Sequence, residues 1–210
     1  MLRKKLIFLW VIMISFISSA QVIEITTSYG YQFGATLGYG PNYLKFEDSG
    51  QFGLTLGVET YSGLIAEFTY TNMSTFLNIR DIVFSPIESR LAELNADWFM
   101  IGATKYFKTG KVKPFAGGNL GLVVVSPNNE NRAIIDNNID SSTKFAFSFK
   151  GGINIMFSKR VGFNIQGNLY FPVNWAGVYV GPGGAGISTG STVILAGFSG
   201  GLVFRFGGTD

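Results

Sequence analysis

The sequence offers little acid, base or nucleophile chemistry. Its 210 residues contain no His and no Cys, which excludes Ser-His-Asp hydrolysis, cysteine nucleophiles and metals held by His or Cys. What remains is a scatter of charged and amide side chains, each set among apolar neighbours: Glu59, Glu67, Lys144, Lys150 and Arg205, with Gln32, Asn119, Asn164 and Gln166. Ser148 and Lys150 stand two apart, a spacing that puts both on one face of a strand, where a Ser-Lys pair is conceivable. Packing is the commoner role for such neighbours. Asp136, Asn137, Asn138 and Asp140 gather oxygens on one segment, as a Ca²⁺ loop does. They lack the central glycine and distal Glu of an EF-hand, so a solvated turn is the preferred reading. The GPGGAG tract at 181–186 does not join a strand to a helix, and a phosphate loop is therefore rejected. No catalytic residue, cofactor or metal site is expected.

The elements that position these side chains are strands. From Thr143 to Phe171 the chain reads TKFAFSFKGGINIMF, then SKR, then VGFNIQGNLYF. Phe145, Phe147, Phe149, Ile153, Ile155 and Phe157 share one parity, against Lys144, Ala146, Ser148, Lys150, Gly152, Asn154 and Met156. After the Ser158-Lys159-Arg160 turn, Phe163, Ile165, Leu169 and Phe171 oppose Gly162, Asn164, Gln166, Asn168 and Tyr170. Side chains alternate between the faces of a strand, so this is a hairpin with one greasy and one polar face. A soluble sandwich buries the greasy face; a membrane barrel turns it to lipid and folds the polar face around a lumen.

The rest of the chain decides between the two. Met1-Leu2-Arg3-Lys4-Lys5, an apolar run from Leu6 to Ile17 and then Ser18-Ser19-Ala20 have the form of a secretory signal, with cleavage expected after Ala20. The run is shorter than the roughly 20 residues of a membrane-spanning helix. Residues 1–20 are therefore assigned to the signal and 21–210 to one domain. Three of the 16 basic residues lie in the signal, leaving 13 against 13 acidic. The mature chain is formally neutral, and no nucleic-acid partner is expected. Without Cys there is neither disulfide nor lipoprotein anchor. The chain holds 20 Phe, 9 Tyr, 3 Trp and 28 Gly, and glycine near twice its usual ~7% suits a small, strongly curved barrel.

In order, the pattern predicts strands over 24–37, 51–60, 64–72, 96–107, 113–125, the two halves of the 143–171 hairpin, and 192–206. Phe99, Ile101, Ala103 and Phe107 are assigned outward in the fourth, where both faces carry apolar residues. Residues 73–95 lack alternation and are read as a long loop, with 87–94 a short amphipathic helical piece. Connections alternate long (38–50), short (61–63), long (73–95), short (108–112), long (126–142), short (158–160) and long (172–191). An even number of strands with this rhythm is the pattern of an eight-stranded antiparallel up-and-down transmembrane β-barrel. In so narrow a barrel the polar parity becomes the lumen. The expected arrangement is a structural network in which Glu59 and Glu67 face Arg205 or Lys150, joined by Gln32, Asn164 and Gln166, in preference to a gated ion path. In the last loop Trp175, Val178, Tyr179, Val180 and Ile187 are more apolar than solvation needs; they either cap the mouth or contact a partner.

VKPFAGGNLG at 112–121, FSFKGGINIMFSKRVGFNIQGNLYF at 147–171 and AGFSGGLVFRF at 196–206 carry a resemblance to the small OmpA/OmpX-like outer-membrane β-barrel proteins of Gram-negative bacteria. The resemblance spans the mature chain. It implies an outer-membrane barrel without catalytic residues, embedded in outer-membrane lipid and inserted by the barrel-assembly machinery, to which the closing strand presents its terminal aromatic, Phe206. The expected role is non-enzymatic: loops shown outside the cell for envelope structure, adhesion or docking to another outer-membrane protein. The alternative is a small-solute or ion pore, or a barrel that holds a ligand at its mouth.

Overall fold

The structure, a computed structural model of the chain, describes residues 22–60, 62–83, 85–108, 110–134, 139–173, 178–181, 184–187 and 193–207. The signal, most of the Asp136–Asp140 oxygen cluster, and Trp175 lie outside these residues, as does the side chain of Tyr179.

Eight strands close into a ring: β1 (Ile23–Gln32), β4 (Ser49–Glu59), β5 (Leu64–Asp81), β6 (Ser85–Tyr106), β7 (Val112–Asn128), β8 (Ser142–Met156), β9 (Val161–Val173) and β12 (Leu195–Phe206). Every neighbouring pair is antiparallel, and β1 pairs with β12 to seal the ring, Glu24 lying opposite Arg205. Closure leaves no free edge within the barrel wall, the condition for strands to cross a bilayer. Among the described residues no helix is long and apolar enough to cross a membrane; the crossing is made by strands.

The wall obeys the two-residue period. Phe52, Leu56, Phe68, Phe99, Ile101, Leu120, Leu122, Phe149, Ile165, Phe198 and Leu202 all face outward and are exposed. Their intervening partners, such as Glu67, Thr69, Asn119, Ser148 and Ser199, are buried inside. A soluble protein does not leave such a band in water; lipid covers it. Aromatics mark both borders. Phe107, Phe157 and Phe206 lie exposed beside the short turns, while Tyr31, Phe33 and Phe198 cluster near the long connections with centroids 5.5–6.0 Å apart. These are the girdles expected at two membrane interfaces.

Four expectations are corrected. The first strand ends at Gln32 rather than residue 37. The expected loop 38–50 is not simply loop: β2 (Ala35–Tyr39) and β3 (Asn42–Phe46) form a hairpin, turning at Gly40 with φ +65°, and β3 pairs onto β5 through Tyr43–Arg80 and Phe46–Leu77. The largest difference is at 73–95, which is neither loop nor helix. Strands β5 and β6 run 18 and 22 residues and pair almost to their tip, Asp81 opposite Ser85. A bulge explains why alternation fails there. Leu77 pairs with Ala92 but Asn78 with Arg90, so Leu91 is an extra residue that flips the parity of everything beyond it. The predicted last loop, 172–191, also contains a short hairpin, β10 (Val178–Gly181) with β11 (Gly184–Ile187).

Candidate functional site

The lumen is crossed by contacts at successive levels. At the short-turn end, Arg205 of β12 meets two carboxylates. Its Nη2 lies 2.6 Å from Glu59 Oε2 of β4, and its Nε 3.3 Å from Glu24 Oε2 of β1. The Tyr106 hydroxyl, from β6, donates to Glu24 at 2.7 Å. Asn154 then donates to the Tyr106 oxygen, and Asn164 to Asn154 Oδ1 at 2.6 Å.

In the middle of the barrel Lys150 of β8 reaches across to Glu67 of β5, Nζ to Oε1 2.8 Å, with side chains only 10% and 3% exposed. Thr104 donates to the same carboxylate at 3.0 Å. With its amide turned so that nitrogen faces Glu67, Asn119 donates to Oε1 at 2.9 Å. Glu67 thus has its charge matched and both oxygens occupied, which a carboxylate out of water requires. The small inner residues make room. A Cβ on Gly102 would stand 2.1 Å from the end of the Asn119 amide and 2.2 Å from the Gly118 carbonyl, so only glycine lets β6 pass β7 here.

Above the charges the filling changes character. Thr71 and Tyr170 hydroxyls meet at 3.2 Å from opposite sides of the ring, and the Tyr170 ring packs on Trp98 with centroids 4.8 Å apart. Met73, Met100, Val123 and Ala146 complete a buried apolar plug. Between plug and ion pairs lies a void of about 10 Å³, near the room one water needs. The described lumen is thus bridged at three levels, by the Arg205 cluster, the Glu67–Lys150 pair and the Trp98–Tyr170 plug.

Outside the plug the mouth holds an apolar cavity of about 240 Å³. Trp98 forms its floor, with Leu44, Phe46, Leu77, Leu94, Val125 and Leu195 around it; Glu47, Asp140, Ser142 and Lys144 also line it. Leu77, Leu91 and Leu94 form a second buried cluster against Ile134 and Ile139.

The residues singled out from sequence divide accordingly. Glu59 and Arg205 meet, as do Glu67 and Lys150; Gln32 instead donates to the Ala196 carbonyl near the top of the β1–β12 seam. Asn164 belongs to the lower network, and Gln166 lines the central void. Ser148 and Lys150 both lie inside, where Lys150 is engaged by Glu67. Among the described residues no cluster of acidic groups could hold a metal. Sequence reasoning missed Glu24, Tyr106 and the whole Trp98 plug. Glu24 was legible in principle, since it lies two places from Thr26 and four from Ser28 on the inner parity of β1. The plug was hidden because apolar residues on both faces of β6 blur the alternation.

No protein-family model and no curated protein matches this chain in sequence. Its fold does match solved structures. The outer membrane protein OprG from Pseudomonas aeruginosa aligns at 12% identity over 90% of this chain and 97% of that one, with a TM-score of 0.60. Neisserial surface protein A aligns at 12% identity over 90% and 98%, TM-score 0.57. The outer membrane protein AlkL, determined in lipid bilayers, aligns at 14% identity over 90% and 91%, TM-score 0.50. At these identities the likeness is one of fold: an eight-stranded antiparallel barrel of the outer-membrane type.

Proposed function

We propose that this chain, which has the fold of the small outer-membrane β-barrel proteins, is a non-conducting, non-enzymatic barrel of the Gram-negative outer membrane. It is exported on a signal cleaved after Ala20, inserted by the barrel-assembly machinery, and acts by displaying its long connections outside the cell for envelope structure, adhesion or docking. The observation that carries this reading is the closed lumen. The Arg205 cluster, the Glu67–Lys150 pair and the Trp98–Tyr170 plug each span the barrel, leaving the long strands β5 and β6 as the part that can meet another body. The test is current across a planar bilayer, using protein shown to be folded by its heat-modifiable migration on a gel. A flat trace is expected. Unitary steps that disappear on boiling would refute the display reading in favour of a pore.

One observation favours a second reading, a barrel that holds a ligand at its mouth. The cavity above Trp98 is large enough for a hydrocarbon chain segment or a small apolar molecule, and its charged and hydroxyl side chains at 140–144 suit a polar head. Quenching of Trp fluorescence by a brominated alkyl chain, reduced in a Leu94→Trp variant that fills the space, would support it.

A further inference from the structure

Beyond the last β4–β5 pair, Gln51 with Met73, the β5–β6 hairpin rises above the barrel. Met73 and Asp81 are eight positions apart, roughly 25 Å at the rise of a strand. Its end carries exposed aliphatic side chains. Ile82, Val83 and Ile87 are 59%, 79% and 81% exposed, and Pro86 and the adjoining Pro41 are exposed beside them.

A solvated turn needs no such side chains, and it leaves its backbone to water. Here three of the backbone groups are satisfied from within. The Ile82 N–H donates to Asn42 Oδ1 at 3.0 Å and the Val83 N–H to Asp81 Oδ1 at 2.8 Å. Asn42 in turn donates to Asp81 Oδ2 at 2.9 Å. The Ile87 carbonyl accepts from Ser85 at 2.8 Å and Ser89 at 3.1 Å, and Pro86 has no N–H to satisfy. Internal satisfaction of backbone groups is what entry into lipid demands.

A polar collar follows the apolar tip. The Tyr43 hydroxyl donates to Glu88 at 2.6 Å, Lys45 lies 3.6 Å from Glu88, and the Arg80 guanidinium stands 5.9 Å from the Tyr43 ring. Aliphatic side chains foremost, then Tyr, Arg and Lys, is the order of depth at a membrane interface. A protein groove would use the turn's hydrogen-bonding groups, and these are already turned inward on one another.

We propose that Ile82, Val83 and Ile87 at the end of the hairpin insert into the interface of a second, apposed lipid bilayer, making the β5–β6 hairpin a membrane-to-membrane tether. This inference rests on the display reading above and names the partner class for it.

The experiment uses the full chain in phosphatidylcholine nanodiscs, mixed with separate phosphatidylcholine vesicles and floated on a density gradient. Wild-type protein is expected to rise with the vesicles. Val83→Asp and Ile87→Asp should each lower the bound fraction roughly tenfold, since each removes most of one buried aliphatic side chain, while Val83→Leu should retain it. All variants must keep heat-modifiable migration. A probe sensitive to polarity on Ile87→Cys, the sole thiol in a chain without cysteine, should shift to the blue when vesicles are added. Absence of co-flotation, or co-flotation unaffected by the aspartates, would each overturn the proposal. Labelling of Ile87→Cys on whole cells by an impermeant maleimide separates the two levels of failure. Labelled cells without vesicle capture sink the lipid inference alone; unlabelled cells sink display as well.

Discussion

Replacing Lys150 with Met is the sharpest probe of how the lumen is held. The substitution keeps the length and volume of the aliphatic stem and removes only the ammonium, leaving Glu67 with a side chain 3% exposed and no cation at 2.8 Å. At an effective dielectric of about 20, the lost attraction at that separation is about 6 kcal/mol. Thr104 and Asn119 still donate to the carboxylate and recover part of it, so the expected loss falls at about 3 kcal/mol, the lower end for breaking a buried pair. Glu67→Gln with Lys150→Met should restore most of the stability, because two neutral side chains need no desolvated charge. Urea unfolding in lipid vesicles, followed by Trp fluorescence and heat-modifiable migration, measures all four corners of the double-mutant cycle. The reasoning is refuted if the single substitution costs less than about 1 kcal/mol, or if the two substitutions simply add.

Three further outcomes are expected. Trp98 is buried with no acceptor for its indole Nε1 among the described residues, so Trp98→Phe should cost under about 1 kcal/mol while Trp98→Ala costs about 3–5 kcal/mol, read by the same unfolding curves. Gly102→Ala should reduce the yield of folded barrel in detergent refolding, since its Cβ would meet the Gly118 carbonyl at 2.2 Å; an unchanged yield would show that β6 and β7 can separate. Outside the membrane, donation by Tyr43 and then by Asn78 holds the Glu88 carboxyl below its ordinary range. A depressed folded value contributes stability above the unfolded pKa of about 4.3 and loses it as pH falls through the lower folded one. Amide protection factors in 42–46 and 78–83, corrected for the intrinsic pH dependence of exchange, should therefore fall below about pH 4 and stay level from 5 to 8, and protection that is flat down to pH 3 would contradict the assignment.

The sequence made the barrel wall readable because the wall is simple. One face meets lipid and the other a polar lumen, so the period of two survives through β4, β8, β9 and β12, where Phe52, Phe147, Phe149, Phe163, Phe198 and Phe206 stand exposed on the outside. Legibility fails where that contrast fails. In β6 the inner residues Trp98 and Met100 are as apolar as the outer Phe99 and Ile101. Beyond the rim, the Leu91 bulge exchanges the two parities, and both faces of the β5–β6 extension pack against something, Leu77 and Leu94 inward on Ile139 and Arg90 over the Phe76 ring. A pattern read residue by residue takes this for a loop.

Taken alone, then, the amino-acid order determined which side chains face in or out where the two faces of a wall strand differ in polarity, that the strands number eight around the ring, and that no histidine or thiol chemistry is available. Those are local properties, set by alternation and composition. Only the closed structure decided which carboxylate meets which cation. Glu67 and Lys150 are 83 positions apart and on strands three places removed around the ring, so their contact depends on the tilt and register that close β1 against β12. The same closure brings Thr71 to Tyr170, sets Trp98 as the floor of the mouth, and raises Ile82, Val83 and Ile87 clear of the membrane, because in a barrel every cross-lumen distance is fixed by the whole circumference at once.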